Sequence, residues 1–289
     1  MRIFLLLMSD IKEKIGLIVF SIFFLSDINA QKNETVTLSS EQFEQIKATA
    51  TELYQELDRV TPGEWGAPPS DAFVLFDGSS LDEWQKPYFE YSGSMVEYAD
   101  HLPELKRGPY ITSPADWKLE KGEMVVVPGA GHVVTKELFG DVQLHIEWLA
   151  PKNSTKSGQD YSNSGLFFMG IYEVQILNSY DNETYSNGQA GAVYKQHIPL
   201  VNAANPPSKW QEYNVIFSAP KFSESGNLLN PARMTVFHNG VLIQNNVSLL
   251  GPTCYIGQAH YIKHPEALPI LLQDHGNPVR FRNIWARKL

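Results

Sequence analysis

The chain has 289 residues and a formal net charge of −9, with 43% apolar and 19% charged side chains. That length and apolar share supply a sizeable core, enough for one large β domain or two small ones. The acidic balance argues against a broad nucleic-acid-binding face, and the single cysteine, Cys254, excludes an internal disulfide.

Lys12 and Lys14 precede the apolar run IGLIVFSIFFL, and INA ends at Ala30. A basic flank, a short apolar run and a small residue at the end read as a secretory signal over residues 1–30. The run is short for a membrane-spanning helix, and an uncleaved anchor is the competing reading. Either one implies a secreted, periplasmic or envelope-anchored protein. Asn33, Asn153, Asn182 and Asn246 each begin an Asn-x-Ser/Thr site, which matters only in a host that glycosylates.

Residues 31–70 read as a linker and an amphipathic helix. In SSEQFEQIKATATELYQELDRV, Phe43, Ile46, Ala50, Leu53 and Leu57 recur at helical spacing. Ser39 and Gln42 have the spacing of a capping box, and TPGEWGAPPSD stops the helix.

From residue 71 to 289 the pattern changes to strand-length runs rich in β-branched and aromatic residues. FVLFDG, EMVVVPG, VQLHIEWLA, GLFFMG, YEVQILN, GAVYK, WQEYNVIFSA, ARMTVFHNGVLIQ and FRNIWARKL are separated by Gly, Pro and Asn. Without intervening helices they predict an all-β fold, a two-sheet sandwich or jelly roll. Asn239-Gly240 predicts a tight hairpin. Residues 85–116 and 219–232 lack periodicity and read as loop insertions. Cys254, in GPTCYIGQ, reads as a small buried group.

Strand alternation sorts the polar residues. Gln143, His145 and Glu147 share one face of VQLHIEWL, while Glu173 and Gln175 share one face of YEVQILN. Two neighbouring strands of this kind would line one concave surface; the plainer alternative is a wet sheet face. The Asn163-Ser164-Gly165 turn, Asn178, Asp181, Tyr194 and Lys195 lie close to Glu173 in sequence. Carboxylate, amide and aromatic groups together suit a sugar, with Tyr172, Trp210 and Trp285 as candidate platforms. In LLQDHGNPVRFRNIW, Gln273, Asp274, His275, Arg280 and Arg282 cluster. His275 has the near-neutral pKa that suits proton transfer. Equally, His275 could shape the turn while Arg282 pairs with a sheet carboxylate. There is no His-Glu-x-x-His, no cysteine pair and no EF-hand loop. A divalent ion held by Glu173, Asp181 or His275 stays an open alternative.

Taken together, FDGSSLDEW, NSGLFF, YEVQIL, GAVY and LLQDHGNPVRFRNIW resemble the 3-keto-disaccharide hydrolase domain, also described as a 3-keto-glucoside lyase/hydratase domain, from Phe73 to Leu289. The resemblance implies a concanavalin-A-like jelly roll of two antiparallel sheets. It implies a hydrolase or lyase/hydratase, a glycosidase in the broad sense, that cleaves 3-oxo-glycosides by C2 proton abstraction and elimination. The positions matching the family pattern are Glu147, Asn163, Glu173, Gln175, Tyr194, Gln273, His275 and Arg282. We accordingly expect Glu173, His275 and Arg282 to be catalytic. Glu147, Asn163, Gln175, Asn178, Tyr194, Lys195 and Gln273 are expected to bind substrate. Two positions depart from the family: Asn178 stands where it often has Asp, and Gln211 where Asn follows the Trp. The alternatives are a non-catalytic carbohydrate-binding module, a conventional glycoside hydrolase and an envelope interaction domain.

Overall fold

The computed structural model describes residues 19–20, 36–87, 111–152 and 155–289. The chain divides into two compact units, 1–59 and 60–289. In the first, β1 (Val19–Phe20) pairs antiparallel with β2 (Val36–Thr37), and α1 spans Ser40–Thr49. The expected capping box is present: Gln42 N–H donates to Ser39 Oγ, and Ser39 N–H donates to Gln42 Oε1. The helix is shorter than its apolar spacing suggests. No α1 side chain is buried, and Leu53 and Leu57 lie exposed beyond its end. Without a packed apolar face, ten residues have little to extend them. Apart from the β1 backbone, the expected export signal lies outside the described residues. Among the described residues no helix is long and apolar enough to cross a membrane.

Among its described residues the second unit is built of strands, with two single-turn 3-10 helices at Gly158–Asp160 and Ser186–Gly188. In chain order the strands are β3 (Phe73–Phe76), β4 (Trp84–Pro87), β5 (Ile111–Pro114), β6 (Lys118–Glu120), β7 (Glu123–Val125) and β8 (Val133–Phe139). Then come β9 (Val142–Leu149), β10 (Ser164–Phe168), β11 (Tyr172–Ile176), β12 (Trp210–Ser218), β13 (Lys221–Phe222) and β14 (Leu228–Asn230). The last are β15 (Arg233–His238), β16 (Val241–Ser248), β17 (Leu268–Leu272) and β18 (Arg280–Lys288). A six-stranded sheet runs β11-β10-β17-β8-β4-β5, and an eight-stranded sheet runs β16-β15-β12-β9-β18-β7-β6 with β3 also on β18. The result is the antiparallel concanavalin-A-like sandwich that the resemblance implied.

Several local expectations change. Ser164 and Gly165 belong to β10 and not to a turn; the reversal before Glu173 is at Met169 and Gly170, both at positive φ. GAVYK is a turn with isolated bridges, because Gly191 and Lys195 are left-handed. The two supposed insertions carry strands: β4 and β5 pair at the stem of 85–116, whose residues 88–110 lie outside those described, and β13 and β14 form a small hairpin in 219–232. Asn239-Gly240 is the expected tight turn, with φ of 51° and 77° joining β15 to β16. Cys254 is buried, and its thiol donates to the Ile256 carbonyl. Asn182 uses its amide nitrogen inside the fold, donating to the carbonyls of Gly158 and Asn178.

The two sheets meet through alternating apolar side chains. Val142, Leu144, Ile146 and Trp148 of β9 and Tyr172, Val174 and Ile176 of β11 share one core. Phe217 of β12 stacks on Phe168 of β10 at 4.9 Å between centroids and lies 5.6 Å from Tyr172. Since successive side chains on a strand point to opposite faces, the polar alternates turn outward, away from this seam. Phe217→Ala removes a ring from the seam and is expected to cost about 3–5 kcal/mol in a denaturant titration.

Candidate active site

Glu173 and Gln175 of β11 point outward from the six-stranded sheet. Their neighbours across the strands follow from register. Gln175 lies opposite Gly165, and Glu173 opposite Phe167. Gln273 continues the line beyond β17: its N–H donates to the Gly165 carbonyl at 3.0 Å. Gly165 therefore separates two glutamines with a gap where any other residue would have a side chain. A Cβ there would sit 2.6 Å from Glu173 Oε1 and 2.5 Å from the Phe167 ring. The Glu173 carboxyl thus lies across β10, in a slot that only glycine leaves open.

Glu173 is 4% exposed, and burial pushes its pKa from 4.5 up to about 8. The Gln175 amide responds to that proton. One end of it faces Glu173 Oε1 at 3.0 Å and the Ser164 carbonyl at 3.1 Å. The other end faces Gln159 Oε1 at 3.2 Å and Asn163 Oδ1 at 3.4 Å. An ionised Glu173 calls for the amide nitrogen on its side. A protonated Glu173 can instead donate to the amide oxygen, leaving the nitrogen for Gln159 and Asn163. Asn163 is held in turn by donation to the Gln159 carbonyl at 2.8 Å.

The rim is aromatic. The hydroxyls of Tyr185 and Tyr194 are hydrogen-bonded at 2.6 Å. Burial pushes both phenols up, and the nearby Glu173 charge adds to this, so both stay protonated. Gly188 leaves room for the Tyr185 ring, since a Cβ there would lie 2.1 Å from it. Lys195 Nζ sits 4.3 Å from the Tyr255 ring centroid, 5.6 Å from that of Tyr185 and 5.8 Å from that of Tyr194. Tyr194 and Lys195 were expected here. Tyr185, Tyr255 and Gln159 were not, although aromatic residues in the turn-rich stretches ETYSNGQ and TCYIG were a usable signal.

The remaining expected residues are divided. His275 is exposed on the β17–β18 loop, which Asp274 ties down by accepting from the N–H groups of Gly129, Gly131 and Gly276. Asn178 is buried just past β11; its Oδ1 accepts from Tyr180 N–H, and its Nδ2 has no partner among the described residues. Asp181 lines a separate polar cavity of about 660 Å³ with Asn182, Glu183 and Thr184. That cavity adjoins the site through Gln159 Nε2, which donates to Thr184 Oγ1. Among the described residues no three His, Cys, Asp or Glu side chains form a metal-holding group.

Glu147 and Arg282 do not join Glu173. They belong to β9 and β18 of the other sheet, directly opposite each other in register, and face outward on the far side of the core. The expectation of one shared surface fails because β9 and β11 lie in different sheets. Arg282 Nε donates to Glu147 Oε2 at 2.6 Å, the sheet-carboxylate pairing weighed from sequence. Tyr172 and Trp285 are buried and do not serve as platforms; Trp210 is half-buried, with the Arg282 guanidinium 4.1 Å from its ring centroid. Gln211 is buried and braces loops, accepting from Asn205 N–H and Asn239 Nδ2.

The Glu173 proton has a consequence for stability. Below about pH 4.5 this residue is protonated whether the chain is folded or unfolded, and burial costs nothing. Between there and about pH 8 the unfolded chain releases the proton while the folded chain keeps it. Stability therefore falls as pH rises, by about 1.4 kcal/mol per unit at the steepest. Glu173→Gln lacks this loss. Its melting temperature relative to the parent should climb from pH 4.5 to 8; a pH-independent difference would contradict the buried-acid assignment.

The pattern of the 3-keto-alpha-glucoside-1,2-lyase-like domain family matches residues 71–287. A crystal structure from Parabacteroides distasonis ATCC 8503, provisionally described as a glycosyl hydrolase, is 40% identical, with a TM-score of 0.71 over 83% of this chain and 95% of that one. A second from the same organism, described in the same words, is 15% identical with a TM-score of 0.51 over 76% of this chain and 94% of that one, a likeness of fold alone. No curated protein matches this sequence. The family match and the first of these structures establish a carbohydrate-active domain, and the chain belongs to the 3-keto-alpha-glucoside-1,2-lyase-like family.

Proposed function

We propose that this protein cleaves the glycosidic bond of 3-oxo-glycosides by elimination, with Glu173 taking the proton from C2. The observation that carries this reading is a single buried carboxyl, raised to about pH 8, lying in the Gly165 slot beneath a rim of protonated phenols. A ketone at C3 acidifies the C2 proton. Glu173 in its ionised form removes it, and the electron pair moves toward the C3 oxygen. One hydroxyl of the bonded Tyr185–Tyr194 pair donates to the other, and the remaining O–H donates to that oxygen, while the Lys195 ammonium adds positive charge at the rim. The C1–O bond then breaks, the leaving group takes a proton, and a C1–C2 double bond conjugated to the ketone remains. Water added across that double bond gives the free 3-oxo sugar. Gln175, Gln273 and Asn163 are suited to holding the sugar hydroxyls. His275, exposed on its tied-down loop, is the group we assign to the leaving-group proton. Arg282 and Glu147 have no part in this chemistry. A conventional glycosidase would place a second carboxylate across the bond. Around the Glu173 side chain the described residues supply the Gln175 amide, the Phe167 ring and the Gly165 backbone. The apolar run near the N-terminus supports placing the reaction outside the cytoplasm.

Incubation with a 3-oxo-disaccharide and its unoxidised counterpart in heavy water tests the reaction class. The 3-oxo sugar alone should be cleaved, with deuterium appearing at C2 by NMR. Equal cleavage of both without exchange would assign a conventional glycosidase, and saturable binding without cleavage a carbohydrate-binding module. Glu173→Gln should lower kcat/KM by about 100- to 10,000-fold while the fold survives. In the parent, kcat/KM should rise with pH up to about 8, because the base must lose its proton; a profile that falls over this range would make Glu173 the acid instead.

A further inference from the structure

The outer face of the eight-stranded sheet carries a second constellation that the elimination chemistry leaves unused. A cavity of about 320 Å³ there is lined by Trp65, Trp210, Glu147, Glu212 and the loops bearing Asn205 and Asn239. Trp65 is 90% exposed. Its turn is nonetheless fixed. The Gly66 carbonyl accepts from Asn283 Nδ2 at 2.8 Å and from Trp285 Nε1 at 3.0 Å, and Ala67 N–H closes the turn onto the Glu64 carbonyl at 2.8 Å. A large aromatic group held in water by a fixed turn forgoes burial that the hydrophobic effect would reward, and such groups mark binding surfaces.

The polar groups facing this cavity are also fixed. Glu147 Oε1 accepts from Asn283 Nδ2 at 2.9 Å, and Oε2 from Arg282 Nε at 2.6 Å. Burial pushes this carboxyl up, but His145, 3.8 Å away, and the hydrogen bonds from Asn283 and Arg282 outweigh that and bring it to about 2, so it is ionised. Glu212 lies directly opposite Glu147 in register, with Asn214 Nδ2 donating to it. The Arg282 guanidinium is steadied by the Trp210 ring and by Glu147.

We propose that this face is a second, non-catalytic site for a neutral sugar unit of an oligosaccharide. The Trp65 indole would take the apolar face of the ring. Glu147 and Glu212 would accept from neighbouring hydroxyls, and the remaining N–H groups of Arg282 would donate to them. Two carboxylates against one guanidinium leave the cavity net negative, which selects against uronates and sulfated sugars. This site stands apart from the proposed lyase reaction, on the opposite outer face, and does not depend on it.

Calorimetric titration with gluco-, manno-, galacto- and xylo-oligosaccharides, and with oligogalacturonate as the acidic comparison, tests the assignment. At least one neutral series should bind, and oligogalacturonate should not. Trp65→Ala should weaken that binding at least about tenfold, the effect of one lost aromatic platform, and Glu212→Gln should weaken it too. Glu173→Gln should bind like the parent. Turnover of a 3-oxo-disaccharide by Trp65→Ala should equal that of the parent, so loss of turnover and loss of this binding are read separately. No neutral oligosaccharide binding, preference for the acidic sugar, or binding lost in Glu173→Gln but kept in Trp65→Ala would each overturn the proposal.

Discussion

The seam where Phe217 packs on Phe168 and Tyr172 governs the placement of the polar groups described above. It commits one set of alternate side chains from each sheet to the interior. A strand has a period of two, so the other set has no choice of direction. Glu173 and Gln175 are delivered to one outer surface, Glu147 and Arg282 to the other. The same core that stabilises the sandwich thus separates two chemically different faces. Neither can borrow a side chain from the other without a one-residue slip that would turn an apolar row into water.

The two faces treat their carboxylates in opposite ways. Glu147 is met by Asn283 and Arg282 and is driven to the ionised form. Glu173 has an amide beside it and little water, and it retains its proton to a much higher pH. The first arrangement gives a fixed charge, useful for orientation and poor for proton transfer. The second stores a cost in the folded state and yields a group able to exchange a proton near neutrality. Environment and not residue type makes the difference, as both are glutamates on central stretches of strands.

Much of this was legible in the chain. The capping box at Ser39 and Gln42, the turn at Asn239-Gly240 and the inward and outward sorting of VQLHIEWL all depend on neighbours within a few residues, and local spacing states them directly. Sheet membership is different. Nothing in the period of YEVQILN or VQLHIEWL says that their strands occupy separate sheets, so Glu173 and Glu147 looked like neighbours when they are not. Long-range register sets that, and it is decided by packing. Tyr185 and Tyr255 were missed for a related reason: they reach the rim from loops with no periodicity to read. The helix was overestimated because apolar spacing describes a face that packing must still supply.

Gly165 gives the site an unusual sensitivity to added mass. A single methyl group put in here would force the Glu173 carboxyl and the Phe167 ring to move, because they already occupy that space. Neighbouring truncations cannot easily compensate, since the intruding carbon would grow from the strand backbone itself and the groups it meets are the Glu173 carboxyl and a buried ring. Such a substitution would leave Glu147, Arg282 and their partners on the other face untouched. The place of the Glu173 carboxyl across the strand therefore rests on one hydrogen atom of the main chain.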